Sequence, residues 1–477
     1  EFWLRECADR RKSRRFGSKA LLIIAGERGF LLVVVKNAVS GREKRDPGPH
    51  EASKRFFRGA IDGLAAHAKT HVHEDGTTSQ MLDPAPIVRK LSLMPRLAAI
   101  PVLLALTGWM EARHPVPAFR LFTFFFVFLV FADLAPLLRG KARNGLVVLA
   151  SLAFGLCVIE AVATRLEPKT LRNVTKGWSV ARPVIGWGPE HSGRFHAERR
   201  DPKTGAVIYL ADYTIDANLL RQTTSSEKGP AIVFFGDSYT FGNGVNDAET
   251  LPQAFADLRD RKERILNLGF TGYGPQQFLR ELETGLFDPV IGPRPRLFIF
   301  LTAAFHAKRT ACKEYWTPHA PLYALENGQI VFKGACNEGP SLWLREWLEN
   351  TASYRLMVEP LRSKLSHDDV DLYIRILLAA VSLAKEKYGV ATLIPYLRAS
   401  EDYLWGTGFS DESIIARLRE GGAIVIDASL AEEEARGALI SIKGDGHPTP
   451  FANRARAVMI EKYIGRQVPG ILRAASE

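Results

Sequence analysis

Cysteine is scarce in this chain: four residues in 477, none of them in a C-x-x-C pair. That excludes a disulfide-stapled miniprotein and a zinc site of the usual finger type. A phosphate-cradling P-loop and a dinucleotide-binding glycine fingerprint are also missing, so a nucleotide-dependent enzyme has no support. No internal repeat is visible. Acidic residues are too few to balance the basic ones: 52 Asp and Glu against 63 Lys and Arg leave a net charge of +11, with a pI near 9.4. The excess is dense in the first eighty residues, as in Arg10-Arg11-Lys12 and Arg14-Arg15, and recurs beside apolar runs at Arg139, Lys141 and Arg143. That placement fits membrane orientation better than groove reading, and no nucleic-acid partner is expected.

Hydrophobic residues make up 46% of the chain and charged residues 24%, which excludes a largely disordered protein. A mean hydropathy of −0.05 is high for so charged a chain and points to greasy segments beside an ordinary domain. Residues 1–80 are basic and poorly periodic. They read as a tail whose native status is left open, since the first methionine is Met81. Their apolar stretch Leu21–Val35 is broken by Glu27 and Arg28 and makes a poor span. Three better candidates follow within 81–165: Leu97–Met110, Leu121–Leu138 with one acid, Asp133, and Gly145–Thr164 with one acid, Glu160. A spanning helix needs roughly 20 predominantly apolar residues. The second and third qualify, and the first counts if Arg96 snorkels. The Arg139–Arg143 linker should stay cytoplasmic, which places everything after Arg165 outside, whether the spans number two or three.

Residues 166–230 read as an extended lead-in segment with one strand, Ala206–Leu210. From Gly229 onward short apolar strands alternate with helices. The strands are Ala231–Phe235, Arg264–Leu268, Leu297–Leu301, Ala391–Pro395 and Ala423–Asp427. The helices are Asp247–Lys262, Gln276–Leu286, Leu342–Leu365, Asp369–Lys387, Asp411–Arg419 and Phe451–Ile464. This pattern over 231–467 predicts a parallel sheet covered on both faces.

Directly after the first strand stands Gly236-Asp237-Ser238-Tyr239-Thr240. Carboxyl ends of parallel strands host the site in such folds, so Ser238 is a candidate nucleophile. Asp and Ser are also favoured helix caps, and capping is the competing reading. The lipase elbow G-x-S-x-G is absent, because position 240 is Thr. A serine nucleophile needs a base, and His447 lies in Gly444-Asp445-Gly446-His447-Pro448 near the C-terminus. Asp445, two residues earlier, is placed to orient its imidazole.

Gly236-Asp237-Ser238, Asn267-Leu268-Gly269-Phe270-Thr271-Gly272 and Asp445-Gly446-His447-Pro448 together resemble the blocks of the SGNH (GDSL) hydrolase superfamily, over about residues 180–465. The resemblance implies a flavodoxin-like three-layer α/β/α sandwich with a parallel sheet, here preceded by N-terminal transmembrane helices. It implies Ser238 as nucleophile, His447 as base and Asp445 as its partner, with no metal or organic cofactor. It also implies an oxyanion hole from the Ser238 N–H, the Gly272 N–H and an asparagine side chain. Two blocks depart from the pattern. D-x-x-H is shortened to D-x-H, a spacing similar to that of periplasmic members handling polysaccharide O-acetylation. The asparagine block is missing, and His306 is the nearest polar candidate for its donor. The membrane-anchored setting is similar to that of bacterial envelope members.

The expected function is therefore a membrane-anchored serine esterase acting on an ester, such as O-acyl groups on an envelope glycan or a related acylated substrate. Its catalytic domain would face the periplasm or exterior of a bacterial inner membrane. The alternatives are an O-acyltransferase using the same triad and a degenerate envelope glycan-binding module. Outside the triad, Cys312 and Cys336 are expected to pair if their domain is exported. His67, His71, His73 and Asp75 have partly helical metal-ligand spacing but read better as an incidental polar run.

Overall fold

The computed structural model describes residues 21–26, 29–34, 85–113, 117–167, 171–174, 178–314, 317, 319–336, 342–398 and 401–467. The chain divides into two compact units, 1–83 and 84–477. In the first, β1 (Leu21–Gly26) and β2 (Gly29–Val34) form an antiparallel hairpin. The run 67–75 lies outside the described residues.

The second unit begins with three helices, α1 (Ala85–Arg113), α2 (Pro117–Leu134) and α3 (Gly140–Leu166). The segment Arg120–Leu137 and helix α3 are long and apolar enough to cross a membrane, with mean hydropathies of 1.9 and 2.5. The apolar part of α1, Leu97–Met110, is shorter. These helices expose Val102, Leu104, Trp109, Val148, Leu152 and Val162, the reverse of a helix in a soluble core. The basic linker is tighter than the sequence suggests. Gly140 already opens α3, so Lys141 and Arg143 lie in its first turn.

Residues 171–215 are more ordered than the expected extended segment. Strands β3 (Leu171–Val174), β6 (Gly193–Arg200) and β7 (Val207–Ile215) form an antiparallel sheet, and β4 (Val180–Arg182) pairs with β5 (Gly186–Gly188). Along β7 the inward positions Tyr209, Ala211, Tyr213 and Ile215 are buried, the period-2 pattern of a half-buried strand. They pack with Phe195, Phe241, Phe270 and Tyr273, so this sheet forms a wall beside the Gly-Asp-Ser turn.

The main sheet is parallel. It uses β8 (Ala231–Phe235), β9 (Arg264–Asn267), β10 (Leu297–Phe300) with its continuation β11 (Thr302–Ala303), β14 (Thr392–Leu397) and β15 (Ile424–Asp427). The pairings run β9–β8–β10–β14–β15, the flavodoxin-like 2-1-3-4-5 order with its switch point between the first and third strands. Alternate β8 residues feed opposite cores. Ala231, Val233 and Phe235 pack with Phe278, Ile374, Leu377 and Ile414. Ile232 and Phe234 pack with Leu251, Phe255, Ala457 and Ile460. Helices on both faces make this a three-layer α/β/α sandwich.

Three local readings are corrected. Asp247–Lys262 is a 3-10 turn followed by a helix from Leu251 to Leu258, because Thr250 caps a new start with Pro252 in the first turn. A hairpin, β12 (Pro321–Glu326) with β13 (Gln329–Ala335), fills a stretch without assigned structure. Leu342–Leu365 is a helix, Leu342–Glu349, then a π turn at Tyr354–Val358 and a short helix, Glu359–Arg362.

Candidate active site

The turn after β8 is built for a close approach. Gly236 has φ +149°, and a Cβ there would sit 2.3 Å from Thr240 Oγ1, so only glycine fits. Asp237 follows as the cap of the one-turn helix Ser238–Phe241, its Oδ1 accepting from the Tyr239 N–H at 2.9 Å. Capping therefore falls to Asp237, and the Ser238 side chain is directed elsewhere.

Ser238 Oγ lies 2.9 Å from His447 Nε2, and His447 Nδ1 hydrogen-bonds Asp445 Oδ2. The short D-x-H spacing works because the loop folds back on itself. The N–H groups of Asp445 and Gly446 both donate to the Ile442 carbonyl, and Ile442 N–H donates to the His447 carbonyl. Tyr239 Oη donates to the Gly446 carbonyl at 3.0 Å, tying this loop to the residue after Ser238. The Asp445 side chain is fully buried, and its other oxygen meets Arg199 Nη1 of β6 at 2.7 Å. Burial pushes the Asp445 carboxyl up, but the hydrogen bond from His447 and the charges of His447 and Arg199 outweigh it and hold the group below its usual range. With the carboxylate accepting from Nδ1–H, Nε2 is left to accept the Ser238 proton.

His306 is corrected. It was the expected stand-in for the missing oxyanion asparagine, but both ring nitrogens are engaged in the interior. Nε2 meets Asp237 Oδ2 at 3.1 Å and Nδ1 meets Thr302 Oγ1 at 2.8 Å, while Thr302 Oγ1 meets Tyr373 Oη at 2.9 Å. Asp237 Oδ2 also accepts from Arg309 Nη1 at 2.9 Å. Burial, then the Arg309 charge, push His306 down to about 4, so the ring is neutral at pH 7. Burial would raise the Asp237 carboxyl, but Arg309 and His306 together hold it well below its usual range. This network fixes the Gly-Asp-Ser turn from behind, and His306 is a structural support.

Gly272 has φ +86° in a turn that is braced from three directions. Trp187 Nε1 donates to the Thr271 carbonyl at 2.8 Å, Tyr273 Oη to the Trp187 carbonyl at 2.5 Å, and Arg309 Nη1 to the Tyr273 carbonyl at 2.6 Å. Among the described residues neither the Ser238 nor the Gly272 N–H donates a hydrogen bond. Asn243, which sequence reasoning missed, is fully buried and accepts from Thr271 Oγ1 at 3.0 Å. It links the Ser238 segment to the Gly272 turn, and among the described residues its Nδ2 has no hydrogen-bond partner. Arg199 was also missed, because nothing in a strand of the lead-in segment signals contact with a loop near the C-terminus. A cavity of about 430 Å³ is bounded by Asn267–Phe270 and lined also by Ile185, Leu220, Tyr273, Glu281 and Phe287, with none of Ser238, Asp445 and His447 in its lining. Cys312 and Cys336 are joined in a disulfide.

The Ser238–His447–Asp445 contacts, the glycine turn and the sheet order occur together in one arrangement. The chain resembles the SGNH (GDSL) hydrolases. No sequence-family model matches it, and neither does any curated protein. Among solved structures it is similar to AlinE4, an SGNH-hydrolase family esterase, at 18% identity over 51% of this chain and 100% of that one, with a TM-score of 0.28. A G-D-S-L family protein of Desulfitobacterium hafniense DCB-2 is similar at 12% identity over 49% and 99%, TM-score 0.28. A protein of Slackia heliotrinireducens described as an SGNH hydrolase is similar at 14% identity over 50% and 100%, TM-score 0.27.

Proposed function

We propose that this SGNH-type chain is a membrane-anchored serine hydrolase that cleaves an ester, its substrate an O-acylated envelope glycan or a related acylated molecule. The observation that carries the reading is the 2.9 Å contact of Ser238 Oγ with His447 Nε2, on a ring oriented by Asp445. That distance lies within the range for proton abstraction. Ser238 Oγ attacks the ester carbonyl as Nε2 takes its proton. Asp445 steadies the imidazolium, and the Ser238 and Gly272 N–H groups receive the oxyanion. The protonated His447 then returns the proton to the leaving alcohol. Water, deprotonated by the same ring, releases the acid and frees Ser238. Arg199 acts through Asp445 and is a positioning residue.

The test is labelling of the full chain by a fluorophosphonate. Wild type is expected to label, whereas Ser238→Ala and His447→Ala each lose labelling, because nucleophile and base act as a unit. Labelling that survives Ser238→Ala would refute the assignment.

The membrane part of the reading rests on the apolar surfaces of α2 and α3 and the basic residues Arg139, Lys141 and Arg143 at the start of α3. Basic residues beside spans stay cytoplasmic, which supports a catalytic domain on the periplasmic or exterior side of a bacterial inner membrane. Alkaline phosphatase fused after Arg165 is expected to be active. An inactive fusion, with a cytoplasmic reporter working at the same point, would reverse the orientation.

A further inference from the structure

The stretch Leu342–Arg362 is unusual for the surface of a water-soluble domain. Trp343 and Leu361 are 68% and 69% exposed, and Leu344, Leu348, Met357 and Val358 are exposed with them. Four charges of the same stretch, Arg345, Glu349, Arg355 and Arg362, are partly or fully buried and paired. Glu349 is nearly fully buried and accepts from Arg345 Nε at 2.9 Å and Arg362 Nη1 at 2.6 Å, and Arg362 also donates to Tyr354 Oη at 2.8 Å. Six large apolar side chains within so short a stretch are more than scattered surface hydrophobics.

This stretch is fastened to the helix pair. Glu160 of α3 is fully buried, and its carboxylate accepts from the Ala352 N–H at 2.7 Å, the Ser353 N–H at 3.0 Å and Ser353 Oγ at 2.6 Å. Arg355 Nη2 donates to Glu167 Oε2 at 2.9 Å. The Phe124 ring of α2 meets Trp347 edge-on at 5.5 Å, and the Arg120 guanidinium lies 5.1 Å over the same indole. Helix geometry gives the distance of these contacts from the helix ends. At about 1.5 Å per residue, Glu160 lies about 9 Å from the end of α3 at Leu166. Phe124 lies about 10 Å from the start of α2 at Pro117. An amphipathic element in a bilayer interface sits about 5–10 Å deep.

We propose that residues 342–362 are a bilayer-embedded part of the catalytic domain, lying in the outer interface against α2 and α3. Trp343, Leu344, Leu348, Met357, Val358 and Leu361 face lipid. The occupant is the bilayer because the stretch continues the apolar surface of the two helices at the end where they leave the membrane. The arrangement also accounts for Glu160, an acid in a candidate span whose oxygens are satisfied by this stretch. The domain is then clamped to the membrane at a fixed height instead of swinging on a tether. The proposal rests on the reading of α2 and α3 as spans.

The test places a benzoylphenylalanine crosslinker singly at Trp343, Leu361, Leu152 or Glu432 in the full chain. Each variant is reconstituted in vesicles of phosphatidylethanolamine and phosphatidylglycerol, irradiated, and read by the mass of lipid adducts. Leu152 is a lipid-facing candidate on α3, and Glu432 is exposed on the catalytic domain. Adducts are expected at 152, 343 and 361 and not at 432. Adducts at 152 alone overturn the proposal and leave the spans standing. Protein–protein adducts at 343 and 361 overturn it in favour of a second chain. No lipid adduct at 152, 343 or 361 removes both the spans and the proposal.

Discussion

Replacing Asp445 by Asn separates two roles of this carboxylate, and Arg199 decides the outcome. Asp445 is fully buried between two cations or potential cations, His447 at one oxygen and Arg199, 2.7 Å away, at the other. The asparagine amide has one oxygen and one NH2 for these two neighbours. Arg199 only donates, and its full charge at 2.7 Å outweighs the longer 3.2 Å contact of the His447 N–H with the other oxygen, so it selects the carbonyl and turns the NH2 toward His447 Nδ1. The ring then accepts at Nδ1 and carries its proton on Nε2, where it cannot take a proton from Ser238. The expected loss is about 10⁴-fold, or about 5.5 kcal/mol at 1.36 kcal/mol per decade, smaller than the loss of Ser238 or His447. The assay is the second-order rate constant for inactivation by a fluorophosphonate, with hydrolysis of p-nitrophenyl acetate beside it. Adding Arg199→Met to Asp445→Asn frees the amide to turn its oxygen to His447, and about tenfold of the rate should return. Arg199→Met alone should slow the enzyme, since Asp445 keeps its charge but loses a brace. A double variant slower than Asp445→Asn alone would refute this account of the tautomer.

Two further outcomes follow from packing and charge. The Cys312–Cys336 bond closes a sequence separation of 24 residues, for which chain entropy gives about 3 kcal/mol. Cys312→Ala should therefore lower the thermal midpoint, and the wild type should yield the cross-linked peptide in unreduced digests; two separately alkylated cysteines would reject the bridge. The neutral His306 makes the fold acid-sensitive. Its folded pKa of about 4 lies below the unfolded value near 6.5, so the unfolded chain binds the extra proton between these values. Stability is full above about pH 6.5 and falls by about 3 kcal/mol as pH drops to about 4. Denaturant midpoints across this window should lose that slope in His306→Gln, and an unchanged slope would rule the group out.

The sheet was legible in the sequence because each strand is a short apolar run between turn signals, and burial on both faces writes itself into consecutive residues such as Ala231–Phe235. The two halves of the candidate site were legible for the same local reason: Gly236-Asp237-Ser238 and Asp445-Gly446-His447 are each contiguous and each follow a strand. Apolar helices are likewise a property of composition over a window, so α2 and α3 could be read directly. Partners that lie far apart in the chain carry no such mark. Arg199 became the brace of Asp445 only when β6 was laid beside the C-terminal loop. His306 stood at the expected edge of the sheet, but packing against Thr302 and Asp237 took both its nitrogens. Glu160 read as an acid towards the end of an apolar segment, and only the docking of Ala352 and Ser353 turned it into a cap. Periodicity and motif spacing are set within a few residues, so the sequence alone determined the elements and the chemistry offered at their ends. Which polar group satisfies which depends on contacts that form when the layers close, so tertiary structure alone decided it.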